Sequence, residues 1–531
     1  MRAEPIPRLE LGTGAGELLV NGRPFLVRGG EINNSSATNP DYLKQFWPKF
    51  HDLHLNTLII PVYWDLIEPQ EGHFDFGTID AAILQARQNR MRLVLLWFGS
   101  WKNSQSCYVP GWIKSDPKRF PRALDSNGTR LELLTPFAEA NRTADERAYA
   151  ALLKHLLAFD STERTVIMIQ VENEIGMIPS ARDHSGPADL AFASPVPAVL
   201  TDLFSSGHEV LAPELKAAWV AAGRRRSGTW SEVFGAGDAT EEIFMAWYFA
   251  QYTDAVAAAG KHEYPLPTYV NAALIRPGYR PGQYPSAGPL PHLFDVWRAA
   301  SHSIDLISPD IYFPNFVEWA RRYRFPGNPL FIPESLRSSE ASVNGLYAFG
   351  ALDAIGYSAF GIDTIAEPAA GRLAQSFDLV EQLEPFILAN RGKGTMAAAL
   401  SQGPEEKQAL RLKLGAWALN VTFERGAPAG LPTGVILPGE AAAPSDMRPS
   451  GGIVIATGPD EFIIAGSALV ISFDADTPGV ASGILSAEEG RYVDGRWKNT
   501  LWLGGDQTNQ GRQIQLEPGR FSIQRVRLYR Y

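Results

Sequence analysis

Val166-Ile167-Met168-Ile169-Gln170-Val171-Glu172-Asn173-Glu174-Ile175-Gly176 is the stretch on which the fold turns. Its first six residues carry one polar side chain, Gln170. A strand covered on both faces, as in a parallel sheet, needs that kind of run, because alternation would press polar groups into one of two apolar layers. Two glutamates and an asparagine follow at once. In a (β/α)8 barrel the strand ends open on one mouth, so an apolar strand that stops at an acid delivers a carboxyl group there. Pro329-Leu330-Phe331-Ile332-Pro333-Glu334 repeats the pattern 160 residues further on.

Working outward, strand-like runs lie at 25–28, 57–62, 92–98, 165–171, 268–271, 305–308, 330–333 and 356–360. Helical periodicity separates most of them. Asn39-Pro40-Asp41 reads as an N-cap with proline at the first helical position, and Tyr42, Phe46, Phe50 and Leu53 then line one helix face. A second amphipathic helix is expected over 242–259. Eight such units over 1–390, with an insertion at about 178–240, predict an α/β fold of the (β/α)8 TIM-barrel class. Beyond 391 the pattern changes to short strands at 410–420, 452–456, 461–464, 468–473 and 521–529, which predicts a C-terminal β-sandwich over 391–531. A doubly wound dinucleotide fold would need a glycine-rich loop between strand and helix. Gly12-Thr13-Gly14-Ala15-Gly16 instead precedes the first strand.

The 531 residues are 45% hydrophobic and 20% charged, a globular composition with a large core. A net charge of −10 argues against a nucleic-acid partner. The single cysteine, Cys107, excludes an internal disulfide and a thiolate metal cluster. The start, Met-Arg-Ala-Glu-Pro-Ile-Pro, has no apolar leader core, and the apolar run at 462–473 is too short to cross a bilayer. No membrane span is expected. His51 and His54 sit on a helix whose apolar face explains the segment, and Ser358 lacks the second glycine of a nucleophile elbow. No metal and no cofactor are expected.

Two carboxyl groups facing one another suit glycoside hydrolysis. One protonates the leaving oxygen while the other attacks or stabilises the anomeric centre, at about 5–5.5 Å separation in the retaining version. Aromatic rings at the mouth suit a sugar, because a pyranose has an apolar face that stacks on a ring. Tyr63 and Trp64 after the second strand and Trp101 after the third are candidates, while alternation sends Trp97 to the core.

Gln170-Val171-Glu172-Asn173-Glu174-Ile175-Gly176 resembles the acid/base motif of family 35 β-galactosidases, members of a large clan of (β/α)8 retaining glycosidases. The stretch Trp64-Asp65-Leu66-Ile67-Glu68-Pro69-Gln70-Glu71-Gly72-His73-Phe74-Asp75-Phe76 is similar to the segment after strand two in families 35 and 42. Gly29-Gly30-Glu31 stands where those families open their first loop. The resemblance covers roughly residues 20–385.

It implies that Glu174 is the general acid/base and Glu334 the nucleophile. Asn173 would bond the sugar 2-hydroxyl, Tyr312 would hold the nucleophile ionised, and Glu31 would line the site. Glu172 is assigned a structural role, facing the outer layer. Asn103, with Lys102 beside it, stands where the family supplies a carboxylate to the sugar. Phe360-Gly361-Ile362-Asp363 stands where the clan often places a tryptophan. The implied activity is exo-acting hydrolysis of terminal β-D-galactosyl residues of oligosaccharides or plant polysaccharide side chains. The two departures keep a β-mannosidase or β-glucosidase open, and a catalytically silent carbohydrate-binding protein is the rival from another class. A polysaccharide scavenger would be placed in the periplasm or outside the cell ahead of the cytosol.

Overall fold

The computed structural model describes residues 5–11, 15–204, 212–275, 277–401, 409–423 and 449–531. Eight parallel strands form the centre: β1 (Val27–Glu31), β2 (Thr57–Tyr63), β3 (Arg92–Lys102), β4 (Val166–Asn173), β5 (Thr268–Ala273), β6 (Leu306–Ile311), β7 (Phe331–Ile332 with Glu334–Ser335) and β8 (Gly356–Phe360). Pro333, with no N–H to give to a ladder, splits β7 into two pieces. The first piece pairs with β8 and the second with β6, so the sheet closes on itself as a barrel. The strands are buried because helices cover them outside, among them Gly77–Gln88, Glu139–Asp160, Asp238–Glu263, Ala341–Leu352 and Ala369–Asn390.

Several local readings are corrected. The first strand runs two residues later than expected and takes in Gly29, Gly30 and Glu31, which had been read as the start of a loop. These glycines serve close approach: a Cβ on Gly30 would lie 2.8 Å from Ile362 and Leu55. The helix expected from Tyr42 to Leu53 is two, Pro40–Lys44 and Trp47–Asp52, because the ring of Pro48 cannot follow an uninterrupted helix. Its cap is as read, with the Asn39 side chain accepting from the Asp41 and Tyr42 amides. The run at 410–420 is a hairpin, Leu410–Leu414 against Trp417–Phe423, turned at Gly415 with φ +59°. A small N-terminal sheet (Arg8–Glu10, Glu17–Val20, Arg23–Pro24) had no counterpart in the sequence reading. Among the described residues of the insertion lie four short helices, Gly186–Phe192, Ala198–Asp202, Pro213–Ala221 and Trp230–Phe234.

Among the described residues the C-terminal region is a sandwich of a six-stranded and a four-stranded antiparallel sheet. Alternation along the six-stranded sheet sends its side chains two ways. Val454, Phe462, Ile464 and Val526 meet Trp417, Leu419 and Ile471 of the smaller sheet. Ile453, Ile455, Ile463 and Ile523 join the core of the barrel. Gly350, on a barrel helix, makes room for this contact, since a Cβ there would stand 2.6 Å from Ile453. Two hydrogen bonds secure the seam: the Tyr492 amide donates to Gln382 Oε1 at 3.0 Å and the Phe521 amide to Gln375 Oε1 at 3.3 Å. Among the described residues no helix is long and apolar enough to cross a membrane.

A shared core predicts shared unfolding. Ile453→Ala is expected to cost about 2–5 kcal/mol and to lower one common transition in urea, read by barrel tryptophans and by far-ultraviolet circular dichroism. A separate early transition of the sandwich would contradict the shared core.

Candidate active site

β3 and β4 build one wall of the mouth. After a first shift between Leu93 and Val94, their register runs evenly from the Val94–Met168 pair to Trp97–Val171 and resumes at Lys102–Asn173, so β3 carries a bulge over 98–101. The peg for this bulge is Glu172. It is fully buried, turned into the layer between the barrel and its helices, and its Oε2 accepts from the Trp101 amide at 2.7 Å. Gly99 is required there, because a Cβ would stand 2.3 Å from Trp97 Nε1 and 2.8 Å from Glu172 Oε1. Asp145, from the Glu139–Asp160 helix, completes the packing. It accepts from Trp97 Nε1 at 2.8 Å and the Ser100 amide at 3.1 Å, and its carboxyl lies against that of Glu172. Burial first, and the neighbouring acid second, push Glu172 well up; burial also raises Asp145. Two carboxyls packed this way, away from water, favour holding a proton between them.

The bulge places Lys102 and Asn103 at the mouth. Lys102 is buried, and Asn103 Nδ2 donates to Glu174 Oε2. The backbone locks the same corner: the Asn103 and Ser104 amides donate to the Asn173 and Glu174 carbonyls, each at 3.2 Å. Glu172 and Glu174 both hold left-handed backbone, φ +63° and +43°, a strained state for side-chain-bearing residues. That is how Glu172 points outward while Glu174, two residues on, turns into the mouth.

Glu31 arrives from β1, Asp310 from β6 and Glu334 from β7. Carboxylate oxygens of Glu174, Asp310 and Glu334 lie within 4.8 Å of one another. At that spacing two ionised carboxyls repel by roughly 3.5 kcal/mol at an effective dielectric constant near 20. Burial, then the neighbouring acids, push Glu31 and Asp310 well above the carboxylate range. Burial and the Glu174 charge push Glu334 up to about 7, while Lys102 and the Tyr312 hydroxyl, which donates to Glu334 Oε1, pull it down. Lys102 lowers Glu31, Asp310 and Glu334 alike and is their internal counter-charge.

Several buried polar atoms here have no partner among the described residues: both amide atoms of Asn173, Glu31 Oε1, Glu334 Oε2, Asp310 Oδ1 and Tyr269 Oη. Buried polar atoms are rarely left unmatched. A set of donors and acceptors around one cavity fits a ligand rich in hydroxyl groups. The oxygens of the three clustered carboxylates are also close enough to ligate a cation, and Lys102 sets one positive charge against them.

The barrel thus brings Glu31, Asn103, Asn173, Glu174, Tyr312 and Glu334 to one mouth. Three aromatic expectations are corrected, the first being Trp64, which is wholly buried with its Nε1 donating to Glu68 Oε2 at 2.9 Å. Trp101 offers no face to a sugar: it is wholly buried, held by Nε1 on the Leu134 carbonyl at 3.1 Å and packed on Tyr252 and Phe249 at 4.4 and 5.1 Å between ring centres. The bulge turns it into the outer layer. Tyr63 is 3% exposed, with Phe98 and Tyr108 against its ring. Tyr312, at 37%, is the exposed ring. Asn271 and Asp310 were missed. Each is a polar residue near the end of its strand, but Thr268 on one strand and Ser308 on the other weaken the change from apolar to polar that exposed Glu174 and Glu334.

Comparison with known proteins adds a name to this geometry without settling a family. Residues 373–515 match a family described as "Domain of unknown function (DUF5597)", a segment that starts inside the last barrel helix and takes in most of the sandwich. The chain is similar to a protein named "Beta-galactosidase" from Xanthomonas manihotis, 28% identical over 190 residues, 34% of this chain and 28% of that protein. It is also similar to "Beta-galactosidase-1-like protein 3" of Homo sapiens, 28% identical over 171 residues, 31% of this chain and 24% of that protein. The matches thus span about a quarter of these relatives' lengths. Among solved structures, a cold-adapted β-galactosidase from Rahnella sp. R3 aligns over 70% of this chain and 58% of its own, with 15% identity and a TM-score of 0.47. The sequence relatives agree in name with the resemblance carried by residues 170–176.

The Glu172–Asp145 pair yields a stability prediction. An acid whose folded pKa is raised stabilises fully below its unfolded value, and that contribution is lost as pH rises through the folded value. Glu172→Gln keeps an acceptor for the Trp101 amide and turns an N–H toward Asp145 without needing a shared proton. Unfolding midpoints measured against pH should fall less steeply on the alkaline side in this variant than in the parent; parallel curves would show that the pair holds no such proton.

Proposed function

We propose that this chain is a retaining, exo-acting β-galactosidase that removes terminal non-reducing β-D-galactosyl residues from oligosaccharides or plant polysaccharide side chains. The observation that carries this reading is the convergence of Glu174 and Glu334 oxygens to within 4.8 Å at one buried mouth. Double displacement uses about 5–5.5 Å between carboxyl groups, whereas inversion needs about 6.5–9.5 Å to admit a water. Names of the sequence relatives support galactose as the sugar.

Glu334 attacks the anomeric carbon while Glu174 protonates the departing oxygen. Glu174 then takes a proton from water, which attacks the same carbon and frees Glu334. The hydrogen bond from Tyr312 favours Glu334 as the carboxylate. The unpartnered Asn173 amide is free for a sugar hydroxyl, a contact able to strengthen as charge develops on the ring.

A panel of aryl β-glycosides tests the sugar: galactoside must turn over fastest, and a mannoside or glucoside ahead of it would transfer the assignment. Failure of every glycoside would leave the silent binder. Glu334→Ala should abolish hydrolysis, and Glu174→Ala should cost about 10²–10⁴-fold with poor leaving groups and less with activated aryl ones. An inverted anomer as first product would end the double-displacement reading.

The pH profile is a separate check. Glu334 cannot attack while protonated, so kcat/KM of the free enzyme should climb with pH through about 7. An acid limb near the ordinary glutamate value of about 4 would contradict the crowding at the mouth.

A further inference from the structure

Two acids suffice for double displacement, yet the mouth holds four, and Asp310 is the one built most deeply into the others' support. It stands on β6 directly beside Glu334 in the strand register and is 2% exposed. Its Oδ2 accepts from Asn271 Nδ2 at 2.6 Å, and Asn271 Oδ1 accepts from the Glu174 amide at 2.9 Å. Its Oδ1 has no hydrogen-bond partner among the described residues, although oxygens of Glu174 and Glu334 lie within 4.8 Å.

We propose that Asp310 is a positioning residue for the Glu174–Glu334 pair: a carboxyl that stays neutral at working pH, presents an O–H to the two glutamates, and holds the Glu174 backbone through Asn271. The inference deepens the glycosidase reading and rests on it for its kinetic part.

The groups facing Asp310 decide its charge. Glu334 on β7, Glu174 beyond β4 and Glu31 on β1 all oppose its ionisation, the Tyr323 and Tyr269 hydroxyls lie near it, and Lys102 on β3 is the cation that favours it. Ionised, Asp310 would set one more negative charge against two oxygens that must themselves accept charge. Neutral, it donates to one of them and still accepts from Asn271. The backbone anchor matters because the Glu174 turn is strained, and a strained turn drifts unless its surroundings fix it.

Asparagine copies the neutral form of this side chain at every pH, with an N–H where the O–H would be. Infrared spectra of the whole resting protein at neutral pH give the first test. Asp310→Asn should remove the carbonyl band of one protonated carboxyl and leave the carboxylate bands alone; loss of carboxylate intensity instead would overturn the proposal, whatever the protein hydrolyses. Kinetics on the fastest aryl glycoside give the second. Asp310→Ala should lose about 100-fold in kcat with little change in KM, while Asp310→Asn recovers most of that loss and shifts the alkaline limb upward. Equal losses in both variants would refute the neutral-donor role. If no glycoside turns over, the glycosidase reading falls, and the infrared result still decides the state of Asp310.

Discussion

Repulsion among the carboxyl groups of Glu31, Glu174, Asp310 and Glu334 is the force that the barrel mouth has to contain. Removed from water, four such groups cannot all ionise against one lysine, so protons stay in the cluster and belong to it as a whole. Holding them there requires covalent geometry that leaves no retreat. Barrel closure supplies it: the split strand β7 is clamped by β6 on one side of Pro333 and β8 on the other, and Glu334 begins the clamped second half.

The second wall answers the same force differently. Acids at positions 172 and 174 would sit on one face of a regular strand. Two left-handed residues instead send Glu172 outward, against Asp145, and Glu174 inward. The outward acid is no bystander, because it pins the bulge that carries Lys102 and Asn103 to the mouth. The counter-charge of the inner cluster thus hangs on an acid pair buried behind it.

The sequence made the barrel legible because its strands are apolar runs bounded by turns, and it made Glu174 and Glu334 legible because each interrupts such a run. The bulge after Trp97 was not legible. Gly99-Ser100-Trp101 reads as an ordinary loop, and nothing local says that its amides will wrap a carboxylate 71 residues away. Hence Trp101 was expected at the mouth and is found in the packing behind it. Asn271 and Asp310 escaped for a different reason. Their strands carry Thr268, Ser308 and Pro309 as well, so the change from apolar to polar is blunted. The break at Pro48 and the turn at Gly415 were written in single residues but outweighed by the periodicity around them.

The six-stranded sheet, buried on both sides along Gly451–Gly458 and Glu461–Ser467, has a consequence for the order of events during synthesis. A ribosome releases the barrel helices Ala341–Leu352 and Ala369–Asn390 before any strand of that sheet exists. Until Ile453, Ile463 and Ile523 emerge, the nascent barrel carries an uncovered greasy strip, the kind of surface that chaperones hold and aggregates share. The later-made sandwich therefore covers a hydrophobic seam, and a ribosome that stalls before it leaves that strip bare.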